Sequence, residues 1–255
     1  MIELPEPPSF NLTGKHALVV GGTSGIGLGC ATVLARHGAT VCVAARDENR
    51  IGKVVEAIKN RGWRAEGLCL DISDVESTRK HVLESGPYDI LINSAGTARH
   101  SLATDTELHD YDAVMNLNVR GAYFLTCTVA KGLIEAAKPG SLINISSQMA
   151  HVGGMERAVY CASKFAVEGF TKSMAIEWGP HDIRVNTICP TFIRTPLTEP
   201  TFENPDKLQW IGERIKLNRT GTPADIMGAA LYLASDASAL VTGTALMVDG
   251  GWTSD

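Results

Sequence analysis

His16–Gly21 (HALVVG) is a short apolar run that passes directly into Gly21-Gly22-Thr23-Ser24-Gly25-Ile26-Gly27 and then into a helical pattern reaching about His37. A buried strand, a glycine turn and a helix in that order constrain the fold more than any other stretch. Glycines there let the chain reverse tightly and let backbone N–H groups at the helix N-terminus approach an anion. A glycine turn alone is weak evidence, but strand and helix patterns keep alternating after it. Thr40–Ala45 reads as a second strand, with Asp47 as N-cap of a helix to about Arg61. Arg64–Leu70 and Tyr88–Asn93 read as the next strands, separated by a helix near Val75–Glu84. A long helical region spans Tyr111 to Ala137. Strands at Ser141–Ser146, Ile183–Ile188 and Ala245–Asp249 alternate with helices at Val159–Trp178 and Ala224–Ala234. Near-continuous apolar strands in this alternation predict one doubly wound α/β domain, a seven-stranded parallel sheet with helices on both faces.

Residues 1–13 read as an N-terminal extension and 14–255 as the single domain, with no linker or repeat dividing it. The alternation breaks at 195–217, which carries Pro196, Pro200 and Pro205 and the exposed-looking aromatics Phe202 and Trp210. This stretch is a substrate lid or a surface helical insertion, and its position favours the lid. Phe202 and Trp210 would close over substrate or pack the lid against the body.

Composition narrows the partners. A net charge of −5 argues against nucleic acid or an acidic membrane, both of which need a positive field. No apolar run approaches the ~20 residues of a membrane span. The first dozen residues are acidic and proline-rich, unlike a signal peptide. Six cysteines are scattered without C-x-x-C or zinc spacing, most of them in apolar runs, so buried reduced thiols, a cytoplasmic setting and no metal site are expected.

Two positions speak to chemistry. At the end of the second strand, where a carboxylate ordinarily binds a ribose 2′-hydroxyl, the chain has Ala45-Arg46. A guanidinium suits a 2′-phosphate, which favours NADP(H), although Asp47 is also within reach of the ribose. Further on, Tyr160 and Lys164 stand four residues apart on one helix face, and an ammonium beside a phenol lowers its pKa toward the working range. That makes Tyr160 a candidate general acid/base.

Taken together, these pieces resemble the short-chain dehydrogenase/reductase family over Gly14 to Trp252. Gly21, Gly25 and Gly27 match its G-x-x-x-G-x-G loop, with Thr23, Ser24 and Ile26 inside it. Asp71-Ile72 matches the adenine-contacting pair, and Asn93-Ser94-Ala95-Gly96 the segment that supports the sheet and lies along the cofactor. Asn118, Ser147, Tyr160 and Lys164 match the catalytic tetrad. Pro190 to Thr195 resembles the turn that binds the nicotinamide carboxamide, with Ile193 and Thr195 as contacts. Two positions depart: Val20 replaces a threonine that would bond toward the Asn93–Gly96 segment, and Thr191 stands where glycine is usual.

Within the family, GPYDIL (86–91), ISSQ (145–148), VYC (159–161) and GPHDIRVN (179–186) look closest to L-xylulose (dicarbonyl) reductases and to bacterial sugar and polyol dehydrogenases. The resemblance implies hydride transfer with NADPH. Tyr160 would handle the proton, Lys164 would lower its pKa and bond the ribose, and Ser147 would hold the carbonyl oxygen. Asn118 would position a relay water, and Gln148 would contact substrate hydroxyls. It also implies a homotetramer built on the two long helices and the last strand. His151, Glu156 and Arg157 either line the substrate mouth or lie on the surface. Reduction of 3-oxoacyl thioesters is a rival that requires Arg120, Arg157 and Arg194 to form a basic patch. A non-catalytic dinucleotide sensor is a rival of another class, disfavoured by the intact tetrad.

Overall fold

The computed structural model describes residues 2–254. Strands β1 (His16–Val20), β2 (Thr40–Ala45), β3 (Arg64–Cys69), β4 (Ile90–Asn93), β5 (Gly140–Ile145), β6 (Ile183–Pro190) and β7 (Ala245–Val248) lie parallel in one sheet. Their order is β3-β2-β1-β4-β5-β6-β7. Successive side chains of a strand face opposite ways, so apolar residues at every position bury both faces of the sheet. Val19, Val43, Ile92 and Ile143 pack on one face against α1 (Gly25–Arg36) and α9 (Pro223–Ala234). Leu18, Cys42, Leu91 and Leu142 pack on the other against α3 (Val75–Ser85), α5 (Ala122–Glu135) and α6 (Ala158–Trp178). α2 (Glu48–Lys59) covers β2 and β3, and the Asp47 carboxylate caps it by accepting the Arg50 N–H at 3.1 Å, as its sequence position implies.

The chain changes direction across the sheet between β1 and β4, the place where doubly wound sheets open a crevice beyond the strand C-termini. Every loop that carries a predicted site residue leaves a strand at this end.

Three details depart from the sequence reading. The long helix begins at Leu108 and is not uniform: α4 (Leu108–Met115) passes through a π turn at Asn116–Gly121 before α5. The widened turn lies where the helix runs against the loop after β3, and a Cβ on Gly121 would sit 2.7 Å from the Ile72 carbonyl oxygen. The core also starts earlier than residue 14. Leu12 is buried and its N–H donates to the His37 carbonyl at 2.8 Å, whereas residues 2–11 are exposed. Among the six free thiols, only Cys30, Cys42 and Cys189 are buried; Cys69 is exposed because it sits on the edge strand β3.

The 195–217 stretch folds into α7 (Glu199–Phe202) and α8 (Pro205–Arg214). Its aromatics are not exposed as expected. Phe202 is buried and Trp210 half-buried, in a third apolar cluster with Met149, Phe192, Ile211, Ile215 and Trp252. The Trp210 ring centroid lies 5.0 Å from that of Trp252 and 6.0 Å from that of Phe192. These side chains pack the segment against the body, so shielding apolar area beside β6 decides their place. No helix among the described residues is long and apolar enough to cross a membrane.

Candidate active site

A cleft of about 950 Å³ opens across the C-terminal ends of the strands. Gly21, Thr23, Ser24, Gly25 and Ile26 line one end of it. Gly21 and Gly25 adopt positive φ angles of 74° and 51°, which side chains with a Cβ rarely tolerate. Gly27 lies behind the wall, where a Cβ would run into the Gly21 carbonyl oxygen; glycine here keeps the turn closed. Ser24 stands at the α1 N-cap without a side-chain capping bond, and the first turn of α1 holds no acid. The helix therefore presents its N–H groups and positive end to the cleft. Arg46 lines the same end, joined by Arg50 from α2, which the sequence reading missed. Asp47 also borders the cleft, with one carboxylate oxygen engaged in capping.

Asp71 and Ile72 border the cleft beyond β3, and Ala95 and Gly96 form its floor. Asn93 stays behind the floor: its Nδ2 donates to Asn144 Oδ1 at 3.0 Å, and its Oδ1 accepts the Ala95 N–H at 3.2 Å. Val20 forms no side-chain bond to this segment, yet the backbone link persists, with the Ser94 N–H donating to the Val20 carbonyl at 2.9 Å. Pro190, Ile193 and Thr195 line the opposite side. A Cβ on Gly25 would lie 3.0 Å from Thr195 Cγ2, so the two walls approach each other closely here. Thr191 Oγ1 is buried without a hydrogen-bond partner on the lining of the cleft. A positive helix end, two guanidinium groups and an orphaned hydroxyl at the far side fit a phosphorylated dinucleotide.

Ser147, Tyr160 and Lys164 converge in the middle of the cleft. Ser147 Oγ accepts the Met149 N–H at 3.1 Å and donates to Gln148 Oε1 at 2.9 Å. Gln148, buried, thus holds the serine hydroxyl directly. Lys164 Nζ donates to the Ile145 carbonyl at 2.9 Å and lies 5.7 Å from the centroid of the Tyr160 ring. Burial pushes the Lys164 amine down to about 8, partly offset by nearby Cys189 and Glu168. The Tyr160 phenol departs from the sequence expectation. Burial holds it above its ordinary value, while the Ser147 hydroxyl and the Arg157 charge pull it down. The lysine ammonium is directed at the backbone carbonyl that ends β5.

Asn118 sits in the π turn, off the cleft surface. Its Oδ1 accepts the Thr97 N–H at 2.9 Å, and its Nδ2 donates to the Thr97 carbonyl at 2.8 Å and to Ser163 Oγ at 3.1 Å. A Cβ on Gly96 would lie 3.4 Å from Asn118 Oδ1 and 3.8 Å from Lys164 Nζ, so the two residues flank one glycine.

On the substrate side the structure brings in Arg157 and leaves His151 and Glu156 out of the lining. It adds His100, Met149, Phe192, Leu197, Thr198, Pro200 and Thr201, none of which the sequence reading named as lining residues. For Phe192 and Leu197 the apolar residues flanking the Pro190–Thr195 turn were an available signal. His100 lies in a loop with no pattern to mark it. Phe202 and Trp210 do not line the cleft. Of the three arginines required for a basic patch only Arg157 lines the cleft: Arg194 pairs with Glu199 at 3.8 Å and stacks over Phe202, and Arg120 donates to the Ser73 carbonyl at 3.4 Å. Elsewhere the fold unites His151, Glu168 and Cys189, with ligand-type atoms all within 4.8 Å of one another. Sequence spacing did not reveal this, because the three come from separate elements. Burial pushes the Cys189 thiol up to about 12, and it donates to Glu168 Oε1 at 3.3 Å, while Thr187 Oγ1 donates to Glu168 Oε2 at 3.0 Å.

Comparison with known proteins agrees with this geometry. A family profile described as Enoyl-(Acyl carrier protein) reductase matches residues 20–253. The chain is 38% identical over 248 residues to a 2-dehydro-3-deoxy-D-gluconate 5-dehydrogenase of Dickeya dadantii, covering 96% of this chain and 97% of the relative. It is 39% identical to a D-threitol dehydrogenase of Mycolicibacterium smegmatis (98% and 97% covered) and 34% identical to the L-xylulose reductase of Bos taurus (95% and 98%). A crystal structure of a gluconate 5-dehydrogenase from Burkholderia cenocepacia J2315, in complex with NADP and tartrate, superposes with a TM-score of 0.93 at 32% identity, over 96% of this chain and 98% of that one. The chain belongs to the short-chain dehydrogenase/reductase family and is an oxidoreductase of CH–OH groups.

Proposed function

We propose that this enzyme interconverts a ketone and a secondary alcohol on a small polar substrate, a ketose or polyol, a dicarbonyl or a hydroxy acid, using NADP(H). One observation carries the reading: Ser147, Tyr160 and Lys164 open onto the same cleft as the glycine turn and Arg46. The relatives named for sugars and polyols support the substrate class.

NADP(H), when bound, supplies or takes up the hydride. Gly21–Gly27 and the α1 N-terminus would hold its pyrophosphate, and Arg46 with Arg50 its 2′-phosphate. Asp71 and Ile72 would flank the adenine, and Pro190, Ile193 and Thr195 would hold the nicotinamide end. Tyr160 Oη gives a proton to the oxygen of the reduced substrate, or takes it from the alcohol in the reverse direction. Ser147 Oγ turns its proton from Gln148 to the same oxygen as charge develops there. Lys164 keeps a positive charge below its lowered pKa, would bond the nicotinamide ribose, and would pass protons to solvent through a water positioned by Asn118. Residues 195–217 cover the substrate, with Leu197 and Thr201 facing the cleft while Trp210 anchors the segment behind.

The decisive assay follows NADPH or NADH consumption with a panel of ketoses, diketones and keto acids. The reading predicts turnover of at least one class with NADPH, and with NADH at about a tenth of that efficiency or less. Activity confined to 3-oxoacyl thioesters would replace it with the rival reaction.

We further propose a cytoplasmic homotetramer. Tyr111, Tyr123, Phe165 and Ile176 are 44%, 40%, 52% and 79% exposed on α4, α5 and α6, the helices that such a tetramer would pack together. Gel filtration should return close to four times the 27.2 kDa chain mass.

A further inference from the structure

Arg157 ends the loop that leads from Ser147 to α6, and its guanidinium lines the cleft beside Tyr160. It is half-buried, and burial lowers its pKa. One face stacks on Phe192, with Cζ 5.2 Å from the ring centroid. One nitrogen, NH1, donates to His100 Nε2 at 3.0 Å. No carboxylate among the described residues pairs with it. The adjacent acid, Glu156, points instead to Lys207 of α8, 3.6 Å away.

Removing a guanidinium from water is costly unless an anion or several acceptors compensate. Among the described residues its side chain bonds one histidine nitrogen and stacks on one aromatic face, while the Glu156 carboxylate acts on it only through space, and the rest of the planar fork is left for whatever enters the cleft. His100 adds no second charge. Burial, with Arg157 and Lys207 nearby, pushes it down to about 4, so it is neutral at physiological pH and serves as the acceptor that orients Arg157. Its ring also stands edge-on to Tyr160, with centroids 6.5 Å apart, which ties this pair to the reacting centre.

We propose that Arg157, positioned by neutral His100 and stacked on Phe192, is the specificity-determining anchor for a carboxylate on the substrate. The preferred substrates are therefore polyhydroxy acids and their keto forms, not neutral ketoses and polyols. This rests on the function proposed above and selects one branch of it. The planar fork of a guanidinium matches a carboxylate. A phosphate monoester, with nearly twice the charge, would call for the basic cluster that Arg120 and Arg194 do not form here.

The test uses pairs of equal chain length on the full-length enzyme. Reduction of 5-keto-D-gluconate and D-fructose is measured with NADPH, and calorimetry follows binding of D-gluconate and D-sorbitol in saturating NADP⁺. Wild type should favour the acid in both measurements, by about 10- to 100-fold. Arg157→Gln should abolish that preference mainly through the KM of the acid, over and above any loss of kcat common to both substrates through Tyr160, and Arg157→Lys should restore part of it. Inorganic phosphate added as a competitor should inhibit weakly. Equal losses on acid and neutral substrates in Arg157→Gln would overturn the anchor and point to an effect on Tyr160. So would a wild-type preference for the neutral partner, which needs no variant to detect, or inhibition by phosphate tighter than D-gluconate binding. If wild type turns over neither substrate, yet binds D-gluconate in an Arg157-dependent way, the anchor stands and the proposed reaction fails.

Discussion

The two walls of the cleft are built by different means. The cofactor wall, from Gly21–Gly27 across Arg46 to Ala95 and Gly96, is mostly backbone held by turns where a Cβ would collide with a neighbouring carbonyl or force a strained φ angle. The substrate wall is mostly side chains, assembled from His100, Gln148, Met149, Arg157, Phe192 and the first residues of the 195–217 segment, up to Thr201. Backbone geometry tolerates almost no substitution and so leaves a local mark. A wall of side chains can be lined by many residue types, and distant segments supply them. Under the proposed function the first wall would give the cofactor a fixed seat, and the second would vary with substrate.

The sharpest way to separate the walls is Tyr160→Phe. It should lower kcat by about 10²–10⁴-fold while NADPH affinity, read by fluorescence titration, stays within about twofold. A variant retaining more than about a tenth of the activity would sink the assignment of the proton to Tyr160. Gly27→Ala attacks the other wall. Its new methyl meets the Gly21 carbonyl, so denaturant unfolding should register about 1–3 kcal/mol of destabilisation, accompanied by loss of NADPH binding.

Arg46→Ala should weaken NADPH binding about 10- to 100-fold and leave NADH nearly unchanged. Equal weakening of both cofactors would mean that Arg46 supports the loop and does not read a phosphate. Trp210→Ala removes the ring that fastens α8 to Trp252 and Phe192. Because Trp210 is only half-buried, we expect about 1–2 kcal/mol of lost stability, with a higher substrate KM and unchanged cofactor affinity.

The smallest effect is a pH signature at Lys164. Its folded pKa, about 8, lies below the ordinary lysine value, so folding favours the neutral amine. The cost of burying its charge is fully present below pH 8 and is relieved as pH rises from 8 toward the unfolded value near 10.5. Lys164→Met, inactive, should therefore be at least as stable as wild type at pH 7, with that advantage shrinking between pH 8 and 10. An advantage that grows over this interval would reverse the sign.

How legible each part was follows from the same contrast. The seven strands and the helices between them were readable because each is an apolar run of the right length bounded by breakers, and their ends moved by only a few residues. Gly21–Gly27, Arg46 and the Tyr160–Lys164 pair were readable because their spacing is local. The π turn that carries Asn118 was not; it lies where Gly121 comes against Ile72, two residues far apart in the chain. Nor was the raised phenol of Tyr160, because neighbouring charge in sequence says nothing about burial.

By itself, then, the sequence determined the alternation of strand and helix, the glycine seat and the set of reactive side chains. Helical and strand periodicity, and the steric demands of a turn, act over a handful of residues and write themselves into consecutive letters. Only the tertiary structure decided that His100 meets Arg157, that Glu156 pairs with Lys207, and that Phe202 and Trp210 pack the 195–217 segment against the body. Those outcomes depend on which distant surfaces exclude water together and which charges are left without a partner, and such sums are settled only when the whole chain is packed.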